Sequence, residues 1–419
     1  MLSRKDIEIM APVGSWESLT AAIQGGADSV YFGVQGLNMR SASSVNFSLD
    51  DLSQIVATCR KNSIKSYLTL NTVLFDGDLD YMRQVLQRAK AEKITAVIVA
   101  DQAAMNYAHK LGVEIHISTQ LNITNIETVE FYSVYADVMV LARELTLPQV
   151  RQIFDQIAQR NIRGPRGELI KIEMFAHGAL CMATSGKCYM SLHEAWKSAN
   201  RGECRQICRR KYRVEDIETG AELAVDNQYI MSPKDLCTLE FLDEMLEAGV
   251  RVFKIEGRAR GGEYVRTVAD AYNKAVDAFL DGSFSPVLAR ELTENLRRVF
   301  NRGFWGGYYL GHKVGHEFGE WTASYGSSAT EKKVYVGKVT NYFSKLGVAE
   351  IAVEAAPLCA GDKLLVLGAT TGALEMRADE IRVELQPREC ASQGERCSIL
   401  TIEPVRRGDK LYKLIPSGK

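Results

Sequence analysis

The chain has 419 residues, of which 46% are hydrophobic and 25% are charged. This length exceeds that of one ordinary domain, and this composition is typical of a globular protein with a filled core, which excludes an intrinsically disordered chain. The formal net charge is −1, from 51 basic and 52 acidic residues, so binding of a polyanion would require a local basic patch.

The cysteine count and the hydropathy pattern indicate the compartment. No apolar run approaches the ~20 residues of a membrane-spanning helix, and the first residues, MLSRKDIEIMAPVG, lack the apolar stretch of a secretion signal. We therefore predict a cytoplasmic protein that does not enter a membrane. Nine cysteines cannot all pair with one another. For the scattered Cys59, Cys359, Cys390 and Cys397 we predict free thiols.

Short apolar runs alternate with amphipathic helical stretches over the first 260 residues. The first helix is predicted to begin at the cap Ser15 and to end at Gly25 and Gly26. Predicted strands cover residues 7–12, 29–34, 66–73, 96–101, 114–120, 137–144, 171–178 and 251–258. Strands separated by helices indicate an α/β fold with parallel pairing. We predict a TIM-like (β/α)8 barrel within residues 1–285, and an open doubly wound sheet is the alternative.

Polar side chains recur where the predicted strands end, and this pattern favours the barrel. In a TIM barrel the C-terminal ends of the strands meet at one face and build the active site. The side chains at these ends are Asn71, Asp101, Ser118, Gln120, Arg143, Glu144, His177, Lys254, Glu256 and Arg258. We expect them to lie close together around one opening.

A cysteine-rich insertion, residues 179–250, precedes the last predicted strand. Its main cluster has the spacing Cys181-x6-Cys188-x15-Cys204-x3-Cys208. Four thiolates in one loop suit zinc or an iron–sulfur cluster, although this spacing differs from that of common zinc ribbons and bacterial ferredoxins. Because Cys181 follows its strand by three residues, we expect the metal over the catalytic face. Cys237 is an alternative fourth ligand.

The segment around the last two cysteines of the cluster is strongly basic. KSANRGECRQICRRKYR, residues 197–213, contains seven Lys or Arg and one acidic residue, Glu203. This is the local basic patch that a polyanion would need, and it predicts contacts to nucleic-acid phosphates. The predicted RNA-binding residues are Arg201, Arg205, Arg209, Arg210 and Lys211.

The sequence pattern changes in the C-terminal third. Residues 286–325 are predicted to form a helical and Gly/aromatic connector that includes FNRGFWGGYYLG. Residues 326–419 read as short alternating strands divided by turns, and the sequence GDKL occurs twice. This pattern of short strands and turns predicts a small β-barrel that forms a separate accessory domain.

Several of these segments resemble the collagenase-like peptidase family U32. The resemblance is carried by EMFAHGALCMATSGKCYMS, SANRGECRQICRRKY, SPKDLCTLEFLDEMLEAGVRVFKIEGR and the N-terminal APVGSWESLTAAIQGGADSVYFG. The C-terminal KVYVGKVTNYFSKLGVAEI is similar to the extra domain of longer members. Within the family, the cysteine spacing and the ANRGEC segment most resemble the proteins that modify tRNA to 5-hydroxyuridine.

That resemblance implies a function and a cofactor. It implies a 4Fe–4S cluster on Cys181, Cys188, Cys204 and Cys208, with zinc as the alternative metal. It also implies hydroxylation of the wobble uridine in the tRNA anticodon loop without molecular oxygen, with prephenate as an associated metabolite and a redox partner. An iron–sulfur hydroxylase of another RNA or of a small molecule is an alternative.

Roles for the strand-end residues follow from this reading. Glu144, His177 and Glu256 are the predicted catalytic residues, the two carboxylates positioning the base or moving a proton. The predicted substrate-binding residues are Asn71, Arg143, Lys254 and Arg258, and the cations among them suit a dicarboxylate such as prephenate or an RNA phosphate.

Two other function classes stay open. The family name implies a peptidase, but the chain contains neither Gly-x-Ser-x-Gly nor His-Glu-x-x-His. A cysteine protease would need His177 beside Cys181. A non-enzymatic scaffold with structural zinc is the third hypothesis.

Overall fold

A parallel barrel forms the N-terminal part of the protein. The computed structural model describes residues 2–42, 46–213, 215, 217–220, 231–311, 322 and 326–418. The barrel strands are β1 (Glu8–Pro12), β2 (Ser29–Phe32), β3 (Lys65–Leu70), β4 (Ala96–Val99), β5 (Glu114–Ile117), β6 (Val138–Val140), β7 (Lys171–Ala179) and, after one short extra strand, β9 (Val250–Ile255). Successive strands pair in parallel, and β9 pairs with both β7 and β1. This pairing closes the barrel, which confirms the predicted TIM-like fold and excludes the open sheet.

Helices cover the outside of the barrel, and one short helix, Met190–Ala195, lies within the cysteine-rich insertion. They are α1 (Trp16–Gln24), α2 (Asp51–Lys61), α3 (Leu79–Ala91), α4 (Gln102–Leu111), α5 (Ile126–Ser133), α6 (Leu147–Gln159), α7 (Met190–Ala195), α8 (Leu242–Glu247), α9 (Gly262–Asp281) and α10 (Pro286–Arg297). The predicted cap is confirmed, because the side chain of Ser15 accepts a hydrogen bond from the Ser18 amide. None of the described helices combines the length and the apolar character that a membrane crossing requires.

Successive side chains of each strand point to opposite faces of the sheet, and this alternation produces two cores. One face of each strand packs against the helices in a large apolar cluster. The opposite faces fill the barrel interior with Met10, Tyr31, Tyr67, Ala96, Ile98, Val138 and Val252. The interior is therefore a packed layer, and the space for a ligand lies above it, at the C-terminal ends of the strands.

Two short strands extend the sheet beyond the barrel, and the sequence pattern missed both. β8 (Asp235–Cys237) pairs antiparallel with the end of β7, and β10 (Phe304–Trp305) pairs in parallel with β8. Strands of two or three residues are too short for a hydrophobic period to show. β10 lies within the predicted Gly/aromatic connector.

The C-terminal part contains an eight-stranded antiparallel sheet and a separate two-stranded sheet, with its own apolar core. Its strands are β11 (Glu331–Phe343), β12 (Val348–Val353), β13 (Leu358–Cys359), β14 (Lys363–Gly368), β15 (Gly372–Arg377), β16 (Ile381–Val383), β17 (Gln386–Arg388), β18 (Cys390–Ala391), β19 (Arg396–Leu400) and β20 (Lys410–Pro416). The predicted accessory domain is an antiparallel β domain, and among the described strands no pairing closes its eight-stranded sheet into the predicted small β-barrel. It packs on the barrel through β15, where Gln24 of α1 bonds to the backbone of Thr371 and Ala373.

Two cysteines of this domain correct a prediction. Cys359 and Cys390 form a disulfide between β13 and β18, so they are not free thiols. They are separated by 31 residues and meet only because the two strands pair. Cys59 and Cys397 are free and buried, as predicted.

Candidate active site at the open end of the barrel

A cavity of about 280 Å³ lies at the C-terminal ends of the barrel strands. The predicted site residues that line it are Asn71, Ser118, Gln120, Arg143, Arg209, Lys254, Glu256, Arg258 and all four cysteines of the predicted cluster. The structure thus brings together side chains from four strand ends, those of β3, β5, β6 and β9, and the cysteine-rich insertion. Of the predicted catalytic residues, only Glu256 is in this set.

The four cysteines share the cavity and are all free. Cys181 is exposed, and the other three are partly buried. Gln206 lies in the left-handed region at φ 52°, and its amide donates a hydrogen bond to the Cys204 sulfur at 3.4 Å. This turn directs Cys204 and Cys208 toward one opening. Backbone amides that point at sulfur stabilise thiolates.

The thiols are close enough to influence one another. Burial raises the pKa of Cys208 to about 11, the Arg209 guanidinium acts in the opposite direction, and the sulfurs of Cys181, Cys204 and Cys188 add to the increase. Four thiolates in this position therefore need positive charge, which a metal centre supplies. Among the described residues, no three His, Cys, Asp or Glu side chains are gathered as closely as a single metal ion requires. The metal centre stays a prediction.

Cys237 lies apart from these four cysteines. It is buried on β8, outside the cavity lining, where its thiol faces Tyr272 of α9 and Thr293 of α10. Burial raises its pKa to about 11. The structure thus separates Cys237 from the group that it was predicted to complete.

His177 also lies outside the cavity lining, contrary to its predicted catalytic role. Its imidazole packs against the rings of Tyr264, Tyr272 and Phe304, and burial lowers its pKa to about 3. A neutral histidine enclosed by rings is a packing residue, not a base beside Cys181. The physical cause is a β-bulge, because the pairing of β7 with β9 shifts between Phe175 and His177.

Two further strand-end residues have other positions than predicted. Glu144 is exposed and does not line the cavity, so the structure gives it no catalytic contact. Asp101 caps α4 by accepting from the Ala103 amide, and it also accepts from the Leu74 amide. Asn71 does line the cavity, and it donates to the Ser118 hydroxyl at 3.2 Å.

Glu256 is held as a carboxylate by a partner that the sequence did not reveal. Arg40 lies 2.6 Å from it, and the Tyr31 hydroxyl donates to it at 3.1 Å. Burial works against the charged form, but Arg40 and Arg258 outweigh it and lower the pKa of Glu256 to about 2. At neutral pH this residue therefore accepts hydrogen bonds and orients groups, and it is not a proton donor.

Lys254 begins a buried chain of charged groups that runs into the barrel. Its ammonium lies 2.6 Å from Glu173, which is fully buried. Glu173 lies 3.4 Å from His116, and His116 lies 3.5 Å from Glu114. Glu114 in turn pairs with Arg166 at 2.6 Å. Because Lys254 lines the cavity, this chain of contacts ends at the cavity floor.

His116 gives this chain a measurable pH dependence. Burial lowers its pKa, but Glu114 and Glu173 outweigh burial and raise it to about 8, above the ~6.5 of an unfolded chain. The protonated imidazole should therefore contribute about 2 kcal/mol to the free energy of unfolding below pH 6.5, and this contribution should vanish as the pH rises through 8. Urea unfolding measures the free energy of unfolding at pH 6 and at pH 9. The decrease in this free energy from pH 6 to pH 9 should be smaller in His116→Gln than in the unaltered protein. Equal losses would contradict this electrostatic role.

The cavity is rich in cations. Seven of its lining residues are cationic, namely Arg40, Arg143, Arg209, Lys254, Arg258, Arg260 and Arg302, and one, Glu256, is acidic. In the part of the chain that the structure describes, Arg143, Arg258 and Arg260 form no ion pair with a carboxylate. Arg143 donates to the Ser185 hydroxyl, and the Arg260 guanidinium lies 3.4 Å from the Phe300 ring centroid. Such a site favours an anionic ligand.

The predicted RNA-binding cations differ in their partners and in their exposure. Arg201 pairs with Asp78, Arg210 pairs with Glu194, and Arg209 donates to the carbonyls of Leu180 and Pro233. These three have structural partners; Arg201 and Arg209 are partly buried, and Arg210 is exposed. The exposed cations of the segment are Arg205, Arg210, Lys211 and Arg213.

Comparison with known proteins places these features in a family. Residues 14–317 match the model of peptidase family U32. The chain is 56% identical to a protein named collagenase from Porphyromonas gingivalis strain W83, over 97% of this chain and 98% of that protein. It is 32% identical to tRNA hydroxylation protein P1 from Bacillus subtilis, over 71% of this chain and 69% of that protein. It is 34% identical to the 23S rRNA 5-hydroxycytidine C2501 synthase of Escherichia coli, over 67% of this chain and 41% of that protein.

The relatives therefore carry two kinds of name, with collagenase at higher identity and RNA hydroxylation at lower identity. The family model covers well over half of the chain, including every barrel strand from β2 to β9 and the whole cysteine-rich insertion. The chain belongs to peptidase family U32.

Proposed function

We propose that this protein is an RNA-modifying enzyme that hydroxylates the wobble uridine of tRNA to 5-hydroxyuridine. The observation that carries the proposal is the placement of four free cysteines in one cation-rich cavity at the open end of a TIM-like barrel. Relatives named for hydroxylation of tRNA and rRNA support the same reaction class. Hydroxylation of another RNA base is the closest variant of this proposal.

The proposed cofactor is a 4Fe–4S cluster held by Cys181, Cys188, Cys204 and Cys208. Soft sulfur donors suit iron–sulfur clusters and zinc alike. A single zinc ion draws its four sulfurs to within about 4 Å of one another, whereas a cluster is larger and binds each thiolate through a different iron. The resemblance of the cysteine segments to family members that hydroxylate RNA is what favours the cluster. When bound, it supplies electron transfer beside the substrate, in exchange with a redox partner.

The protein's own residues bind and orient the substrate in this proposal. Arg143, Arg258 and Lys254 attract an anion, which is either an RNA phosphate or a dicarboxylate metabolite such as prephenate. Asn71 offers its amide to the base. Glu256, fixed as a carboxylate by Arg40, accepts a hydrogen bond from an N–H or O–H of the bound ligand.

Peptide hydrolysis is the second candidate, and the observation that favours it is the name of the more similar relatives. Against it stands the position of His177, which packs among aromatic rings outside the cavity. A metal-free cysteine protease needs the imidazole at the thiol.

Nucleoside mass spectrometry separates the two candidates. A strain that lacks this gene should lose 5-hydroxyuridine and its derivatives from tRNA, and the unaltered gene should restore them. A gene with the Arg258→Met substitution should restore less than a tenth of the 5-hydroxyuridine, because the buried Arg258 guanidinium lines the cavity. Unchanged nucleosides in the deletion strain, together with cleavage of gelatin by the purified protein, would favour the peptidase.

A further inference from the structure

Three aromatic rings are exposed on loops beside the cavity. Phe75 is 60% exposed, Tyr189 is 68% exposed and Trp196 is 87% exposed. Large rings normally lie in the core or at an interface, because exposing them to water forgoes the gain from burying their apolar area. Their common location therefore points to a binding surface.

Their neighbours in the sequence and one contact with an arginine place these rings at the cavity entrance. Tyr189 stands between Cys188 and Met190, which both line the cavity. Tyr189 and Trp196 flank α7, so they lie roughly 10 Å apart along that helix. The Arg201 guanidinium stacks on the Phe75 ring, and its central carbon lies 4.0 Å from the centroid of that ring. We call Phe75, Tyr189 and Trp196 the aromatic rim.

Trp196 occupies an unusual backbone conformation. Its φ of 54° lies in the left-handed region, which glycine and asparagine adopt more readily than a bulky residue does. The side chain gains little packing in return, because most of its surface is open to water. Binding of a ligand to the exposed ring would explain why a tryptophan occupies this position.

The charge around the rim is strongly positive. Residues 181–213 contain eight Lys or Arg and two Glu, a formal charge of +6 in a chain with a net charge of −1. Two of the exposed cations, Arg205 and Arg210, line a second pocket of about 460 Å³ that shares Cys204 with the first. A cationic pocket therefore adjoins the cavity that holds the cysteines.

We propose that the aromatic rim is the docking surface for single-stranded RNA, whose bases stack on the rings while its phosphates contact the neighbouring cations. This inference rests on the proposed function and adds the surface that holds the substrate. Isolated rings among cations suit a strand of alternating bases and phosphates, and stacking on aromatic side chains is the general mode of single-strand binding. A protein partner would favour a continuous apolar patch depleted of charge.

Binding of a fluorescent RNA 12-mer, measured by anisotropy with the holoprotein, tests the inference. Trp196→Ala and Tyr189→Ala should each raise Kd about tenfold, since one stacked base contributes on the order of 1–3 kcal/mol. Trp196→Phe should restore most of the affinity, because it keeps a ring at the same place. The matched control is Phe131→Ala, which removes a ring that is 66% exposed on α5, in the outer helical layer.

The outcomes are distinguishable from those of the function test. Unchanged RNA affinity in both alanine variants would overturn the docking surface, even if the deletion strain loses its modified uridine. Loss of RNA affinity in the variants but not in the control would support the surface, even if tRNA modification is unaffected by the deletion. Tighter binding of gelatin peptides than of RNA, lost in the same variants, would assign the rim to a protein partner and overturn the inference.

Discussion

Anaerobically purified protein should contain about four irons per chain, and serine at any one of Cys181, Cys188, Cys204 and Cys208 should reduce this content severely. All four sulfurs line one cavity, so each is expected to hold a different iron of the same cluster. The hydroxyl of serine is a harder and much weaker ligand than a thiolate. Visible absorption and quantitative iron and sulfide analysis provide the measurement.

The matched control is Cys237→Ala, which removes a buried thiol that faces Tyr272 and Thr293 and not the cavity. It should keep the iron content of the unaltered protein. Zinc in place of iron would support a structural metal and contradict the cluster. Loss of iron in Cys237→Ala, with iron retained in Cys208→Ser, would show that the ligand set is misassigned.

Glu173→Gln should destabilise the protein by about 3–5 kcal/mol, because it leaves the buried ammonium of Lys254 without a charged partner. The two groups lie 2.6 Å apart, and Glu173 has no exposed surface. Burial disfavours the Glu173 carboxylate, but Lys254 and His116 outweigh it and hold its pKa below the ordinary value. Urea unfolding at neutral pH measures the loss in the free energy of unfolding.

Two comparisons separate this effect from a general response to substitution. The double variant Glu173→Gln with Lys254→Met should recover a large part of the stability, because no unpaired charge then remains inside the barrel. Asp270→Asn breaks the exposed pair with Lys274 on α9 and should cost less than about 1 kcal/mol. A loss below about 1 kcal/mol in Glu173→Gln would show that the buried pair does not stabilise the fold.

Local patterns explain which site residues were predictable. The barrel strands were predictable because apolar runs, turn residues and helical periods are encoded within about ten residues of one another. Parallel strands of a barrel must end at one face, so Asn71, Arg143, Lys254, Glu256 and Arg258 were expected to meet there, and they do. The four clustered cysteines were recognisable for a similar reason, since their density in one loop is a local signal.

Long-range pairing explains what was missed. Arg40 pairs with Glu256 across 216 residues, and Arg260 reaches the cavity only through the loop after β9. Neither has a strand-end position or a motif that marks it. His177 was misjudged for a different reason, because strict alternation places it on the same side as Phe175, whereas the bulge in β7 turns it toward α9.

The sequence by itself determined the eight barrel strands of this protein, their parallel order and the chemistry available at the barrel's open end, because each depends on residue type and near-neighbour spacing. Only the tertiary structure decided which of those groups share one cavity. It separated Cys237 and His177 from the four cysteines, paired Cys359 with Cys390, and placed Glu173 and His116 beneath Lys254. These outcomes depend on strand register, one bulge and contacts between distant segments, which no local pattern encodes.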